Sequence, residues 1–315
     1  METKAVIPKK KTKWTKNKIQ LFIMASFGVL FLLVFAYTPM FGITLAFKDG
    51  DKELNILEVI LHGEWVGFDN FEMFFNDYRF KDILFNTIGL NLLMLCINFP
   101  APIIFALILS EIRHKSYQRT IQSIAIFPTF LSWVVYGGIL LSLMDSNLGI
   151  FTPILRSLKV IGPNDAIELG GAEYAWATIS ISSLMKGTGW ASVIYTAAIL
   201  GVDPELYEAA KLDGAGRFRS MISITLPSIS PMITVSLLLS ISGLLNNSFE
   251  HINVFKNVMN VSKAEVIATY VYDQGISGRL YSYTTAVGLF QSAVALVLLT
   301  ISNLVSKKVT GKGLY

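Results

Sequence analysis

Six apolar runs, at about 21–47, 83–110, 121–144, 174–200, 229–249 and 283–306, constrain this chain more than any other feature. A helix needs about 20 mostly apolar residues to cross a bilayer. Inside hydrocarbon each backbone N–H and C=O must be paired, and a single run of this length meets that demand as a helix. Composition agrees, with 53% of residues hydrophobic and 15% charged, where soluble domains carry about 25% charge. The sequence therefore predicts an all-α polytopic membrane protein with six transmembrane helices. Several runs exceed the minimum and predict tilt. Pro39, Pro100, Pro102 and Pro128 mark the expected bends, because a proline frees a carbonyl that neighbours must satisfy.

Orientation follows from Lys and Arg in the connections. One side collects the N-terminal tail (Lys4, Lys9, Lys10, Lys11, Lys13, Lys16, Lys18), Arg113, Lys115 and Arg119 of the second connection, and Lys211, Arg217 and Arg219 of the fourth. Lys307, Lys308 and Lys312 of the C-terminal tail join them. The first connection, on the other side, is acidic from Asp49 to Asp77. Both termini are thus expected in the cytoplasm, with a basic tail at 1–20, a membrane domain at 21–306 and a C-terminal tail at 307–315. The first run is too long for a signal-peptide core and reads as an uncleaved helix. The tail lysines read as topology and anionic-lipid contacts; no aromatic residues interleave with them as a nucleic-acid groove would require.

The chemistry of catalysis is missing from the sequence. Cys96 is the lone cysteine, and His62, His114 and His251 are scattered, which gives no metal-ligand spacing. No G-x-x-x-x-G-K-[ST] occurs, so ATP cannot be bound by a P-loop here. Lys186 stands mid-run in Leu184-Met-Lys-Gly-Thr-Gly-Trp190. A charge at that depth costs at least about 2.5 kcal/mol. Two readings follow: a helix loosened by Gly187 and Gly189 beside a wet cavity or another subunit, or a lysine snorkelling from a tilted helix. A proton-coupled transporter would carry a buried acidic relay, and the runs show none.

One polar connection, 203–227, is locally well specified. Asp203, Pro204 and Glu205 are the preferred order of cap, proline and acid at a helix start, and Gly214 supplies a stop. Phe218, Met221 and Ile222 follow at helical spacing, closed by Pro227. A helix of about ten residues is marginal alone in water, and Ala209 and Ala210 allow close approach by a partner. The segment reads as a docking element.

Its residues, Glu208-Ala209-Ala210, three residues, Gly214, nine residues, then Ile224-x-Leu226-Pro227, resemble the EAA loop of type I ATP-binding-cassette (ABC) importer permeases. Further blocks are similar to the LplB/YteP-like carbohydrate-uptake subfamily, among them Phe127-Pro-Thr-Phe-Leu-Ser-Trp133, Gly187-Thr-Gly-Trp190, Ser248-Phe-Glu-His-Ile252 and Tyr281-Ser-Tyr-Thr-Thr-Ala286. The resemblance implies the type I permease fold and a heterodimer with a second homologous permease. It also implies two cytoplasmic ABC ATPase subunits, which would bind the ATP and Mg, and an extracytoplasmic solute-binding lipoprotein. Glu208, Ala209, Ala210, Asp213, Gly214, Ile224 and Pro227 would dock the ATPase, and the solute would be an oligosaccharide crossing a bacterial cell membrane by alternating access.

Sugars present apolar C–H faces ringed by hydroxyls, so their sites pair aromatic faces with amides and carboxylates. Trp133, Tyr136, Trp190, Tyr195, Asn246, Asn247, Phe249 and Glu250, with Lys186, are the residues of the runs suited to line such a path. Two alternatives remain open at this level: a permease for another small solute, and a secondary transporter that needs no ATPase.

Overall fold

The computed structural model describes residues 15–50, 55–145, 149–159, 162, 168–243 and 249–310. These residues are mostly helical, and no strand occurs among them beyond an isolated bridge between Lys48 and Trp65. Four helices are long and apolar enough to cross a membrane, and a bent pair would make a fifth span.

The first helix, α1 (Lys16–Leu32), continues through a π-helical turn, Leu33–Tyr37, ahead of Pro39. None of its residues is buried, and Leu21, Phe22, Met24 and Phe27 are all exposed. Next come α2 (Phe80–Asn98) and α3 (Pro100–Ser110), one span broken at the expected prolines. The run at 121–144 bends at the expected Pro128, sharply enough to divide it into two helices. α4 (Lys115–Ile126) passes through a 3-10 turn, Phe127–Phe130, and meets α5 (Trp133–Met144) at 104°. Pro128 opens the break. Ser132 closes it by accepting the Val135 N–H as the cap of α5, so the new helix begins with one of its four orphan donors satisfied.

The centre of the molecule is α6 (Ala175–Leu200), 26 residues long. Its buried positions include Ala175, Ile179, Ser182, Lys186, Gly189, Ser192, Thr196 and Ile199, spaced three or four apart, so they form one stripe. Many are polar or small, and α6 is not among the four helices apolar enough to stand in lipid by composition. Protein on that stripe replaces lipid. Gly189 marks the closest approach: an added Cβ would collide with the Ala125 carbonyl of α4. Small residues let helices approach backbone to backbone in a membrane.

Beyond α6 lie α7 (Pro204–Leu212), α8 (Leu226–Ser242), the short α9 (Phe249–Phe255) and α10 (Tyr281–Thr310). Three apolar clusters hold the body. One joins Leu90, Tyr136, Leu140 and Ile179 to Ile252 and Phe255. A second joins Phe74, Ile83, Tyr270, Tyr283 and Val287. The third joins Leu107, Tyr195 and Ile229. Span side chains also fasten the segment before α10: Asn86 donates to the Ser262 and Glu265 carbonyls, and the Ile267 N–H donates to Thr87 Oγ1.

Candidate functional site

The segment at 203–227 has the local form its sequence predicts. Asp203 accepts the Glu205 N–H at 3.0 Å to cap α7. At the other end the Gly214 N–H donates to the Lys211 carbonyl and the Ala215 N–H to the Ala210 carbonyl, with Gly214 at φ +76°. This pair of bonds is a Schellman closure, whose left-handed position favours glycine. Glu208, Ala209, Asp213, Gly214 and Pro227 are exposed, while Ala210 and Ile224 are half-buried. Leu212 at 89% and Phe218 at 70% exposure add large apolar groups to the same surface. The joint is anchored from behind: the Tyr207 hydroxyl and Thr225 Oγ1 share a hydrogen bond of 2.9 Å, and Thr225 is buried just before α8.

A cleft of about 280 Å³ lies among α2, α3, α5, α6, α8 and α9. Trp133 and Tyr195 line it, as does a polar set absent from the sequence expectation: Asn91, Asn98, Ser183 and His251. Asn98 Nδ2 donates to Ser183 Oγ at 2.8 Å, which leaves Asn98 Oδ1 as a buried oxygen with no protein donor. His251 is buried, stacks on Trp133 with centroids 4.1 Å apart, and bonds Ser182 Oγ through Nε2 at 2.9 Å. Ser182 gives its own proton to the Ile179 carbonyl. This assigns the Nε2–H tautomer to His251 and leaves Nδ1 an acceptor. An aromatic face beside amide, hydroxyl and imidazole groups suits a polyhydroxylated solute.

Lys186 is placed differently from either sequence reading. α6 runs through it unbroken, and the side chain is only 7% exposed. Its ammonium donates to the carbonyls of Pro128 (3.1 Å), Thr129 (3.1 Å) and Leu131 (2.7 Å), with Trp133 and Tyr136 rings at 5.0 and 5.7 Å. Thr129 Oγ1 returns a bond to the Lys186 carbonyl. All three ammonium protons are therefore used, and the charge sits just past the last residue of α4, at the negative end of that helix. Tyr136 is buried and donates to the Ser182 carbonyl, packed behind the cleft wall. Trp190, 60% exposed, points out of the body, and Glu250 is exposed. Phe249 lines a separate cavity of about 610 Å³ with Tyr272, their rings 4.9 Å apart. Asn246 and Asn247 lie outside the described residues. Asn91, Asn98 and Ser183 had a signal in the sequence, since amides and hydroxyls inside apolar runs are themselves unusual.

A second polar cluster brackets the start of α2. Arg79 pairs with Asp77 at 3.6 Å and with Glu265 at 3.8 Å, and the Tyr270 hydroxyl donates to Asp77 at 2.6 Å. Burial opposes ionisation of Asp77. The Tyr270 hydroxyl, the Arg79 amide and the Arg79 charge outweigh it and hold the carboxyl below its usual range.

Residues 79–311 match the profile of the family described as "Binding-protein-dependent transport system inner membrane component". The chain is 40% identical to protein LplB of Bacillus subtilis (strain 168), over 97% of this chain and 92% of that protein. It is 38% identical to the polygalacturonan/rhamnogalacturonan transport system permease protein YteP of the same organism, over 94% and 90%. A bacterial ABC transporter involved in import of the acidic polysaccharide alginate matches with TM-score 0.83 and 32% identity, covering 94% of this chain and 97% of that one. The bacterial alginate transporter in complex with an alginate pentasaccharide-bound periplasmic protein matches with TM-score 0.84 and 31% identity, over 95% and 98%.

Proposed function

The chain belongs to the inner-membrane components of binding-protein-dependent transport systems, and on that premise we propose that it is one permease of a heterodimer that imports oligosaccharides. The observation that carries the sugar reading is the cleft that puts Trp133 and Tyr195 beside Asn98, with its unused Oδ1, and His251. At about 280 Å³ it falls just below the range of about 300–1,000 Å³ usual for ligand pockets. A second permease facing it would complete a path for a longer chain.

α1 supports the same partner. A run of Leu, Phe and Met with no buried residue makes no tertiary core of its own. Packing between helices, more than hydrophobicity, holds membrane bundles together. A second permease receives this helix, and lipid covers what remains. Both termini and the loop at 203–227 face the cytoplasm, in line with the Lys and Arg distribution; α6 and the bent α4–α5 pair complete a count of six spans. Two ABC ATPases, which hold ATP and Mg themselves, seat against Glu208, Ala209, Ala210, Asp213, Gly214, Ile224 and Pro227. Their closure is passed on through Tyr207 and Thr225. A solute-binding lipoprotein delivers the sugar at the opposite face.

The test is co-purification from membranes, with wild type compared against Glu208→Arg combined with Gly214→Val. A second permease and an ATPase accompany wild type, and the double substitution loses the ATPase alone. Purification of the chain by itself in both cases refutes the reading in favour of a self-sufficient transporter.

A further inference from the structure

Beside the docking element is a cleft of about 710 Å³, with Tyr207 and Thr225 of the coupling joint in one wall and a basic wall that the transport reading leaves unused. It lies between the connection from α3 to α4 and the turn after α7. Arg113, Lys115, Lys211 and Arg217 line it, with Glu111 as the one acidic side chain on its wall. Among the described residues, ion pairs join Arg79 to Asp77 and Glu265, and Lys256 to Asp273; none involves these four cations. α4 also begins here, at Lys115, with no side-chain cap and no acidic residue in its first turn. Its first N–H groups add a partial positive charge. Four cations gathered around a single carboxylate repel one another, and a bound anion would relieve that repulsion.

The walls identify the kind of anion. Ile199 and Leu200, at the end of α6, line the same cleft, and Leu200 is 79% exposed. A ligand that offers an anionic phosphate next to hydrocarbon matches both surfaces. Two arginines can engage phosphate oxygens in bidentate fashion. We propose that this cleft binds the phosphate of an anionic phospholipid headgroup, its acyl chain leaving along Leu200, and that the bound lipid ties Arg113 and Lys115 to Lys211 and Arg217 across the docking joint. The proposal rests on reading this face as the cytoplasmic one; a free phosphate compound shares the headgroup chemistry but not the acyl contact.

The assembled transporter is purified in detergent and its retained phosphatidylglycerol measured by mass spectrometry. It is then placed in nanodiscs of phosphatidylcholine with and without phosphatidylglycerol, and its ATPase rate recorded. Wild type retains phosphatidylglycerol and is activated by it. Arg113→Gln with Arg217→Gln binds it about 30-fold more weakly, at about fivefold per cation, and loses the activation. Arg119→Gln, on α4 but outside the cleft, matches wild type. Lys211→Gln alone, expected about fivefold weaker, serves where the double variant fails to assemble. Equal retention and activation in wild type and variants overturns the site. Activation of phosphatidylcholine discs by inorganic pyrophosphate overturns its lipid occupant. Loss of the ATPase subunit from the double variant with phosphatidylglycerol still bound overturns the proposal and assigns the cleft to ATPase docking, leaving the importer reading intact.

Discussion

Replacing Lys186 by Met tests whether this buried cation serves the fold or the solute. Its ammonium is shared among the Pro128, Thr129 and Leu131 carbonyls at 2.7–3.1 Å. Met keeps the aliphatic length but removes the only ammonium at the break. Hydrogen bonds to a charged group contribute about 1.5–3 kcal/mol each, offset in part because Met escapes the cost of burying a charge. What stays buried is neutral: the Thr129 and Leu131 carbonyls lose this donor, at about 1–3 kcal/mol for each acceptor left unsatisfied, so the net cost is about 2–4 kcal/mol. At on the order of 2 °C per kcal/mol for a chain of this size, the melting temperature falls by about 4–8 °C. Thermal unfolding followed by tryptophan fluorescence, on purified protein in detergent, gives the number. Thr129→Val, which removes only the return bond to the Lys186 carbonyl, costs about 1 kcal/mol. A Lys186→Met protein that melts within about 2 °C of wild type yet loses uptake would refute the structural assignment and return Lys186 to the solute path.

Gly189→Ala destabilises by about 1–3 kcal/mol or more, because its Cβ meets the Ala125 backbone. Gly187→Ala, two residues away with open space around it, stabilises by about 0.5–1 kcal/mol through helix propensity; denaturant titration of the pair reads both signs. Tyr207→Phe removes the hydroxyl that meets Thr225 and costs about 1 kcal/mol locally. The ATPase still co-purifies, while its stimulation by solute falls. Asp77 has a folded pKa below its unfolded value, so its stabilising effect is complete above about pH 4 and disappears as pH falls through the folded value. The stability gap between wild type and Asp77→Asn is therefore widest near neutrality and closes in acid; a gap independent of pH would refute the assignment.

The parts legible in the sequence are those decided within a few residues. The Asp203 cap, the proline and acid that follow, and the Gly214 stop are local events, and α7 has all three. Apolar length announced helices but not their straightness. The run at 121–144 is continuous in hydrophobicity, and its break is written only as Pro128 and a serine placed to cap, a signal shared with many unbroken segments. The partners of Lys186 lie 55–58 positions away, and those of His251 on α5 and α6. Period and propensity carry no information about such pairs.

The right-angled break between α4 and α5 has a mechanical consequence. At 104°, a push along the axis of α4 is almost wholly sideways to α5. The Lys186 clamp ties the elbow to the central helix while the two arms keep their separate directions. A small thrust arriving from the α4 end would sweep the Trp133 wall across the cleft without sliding it along its own length, in the manner of a bell crank.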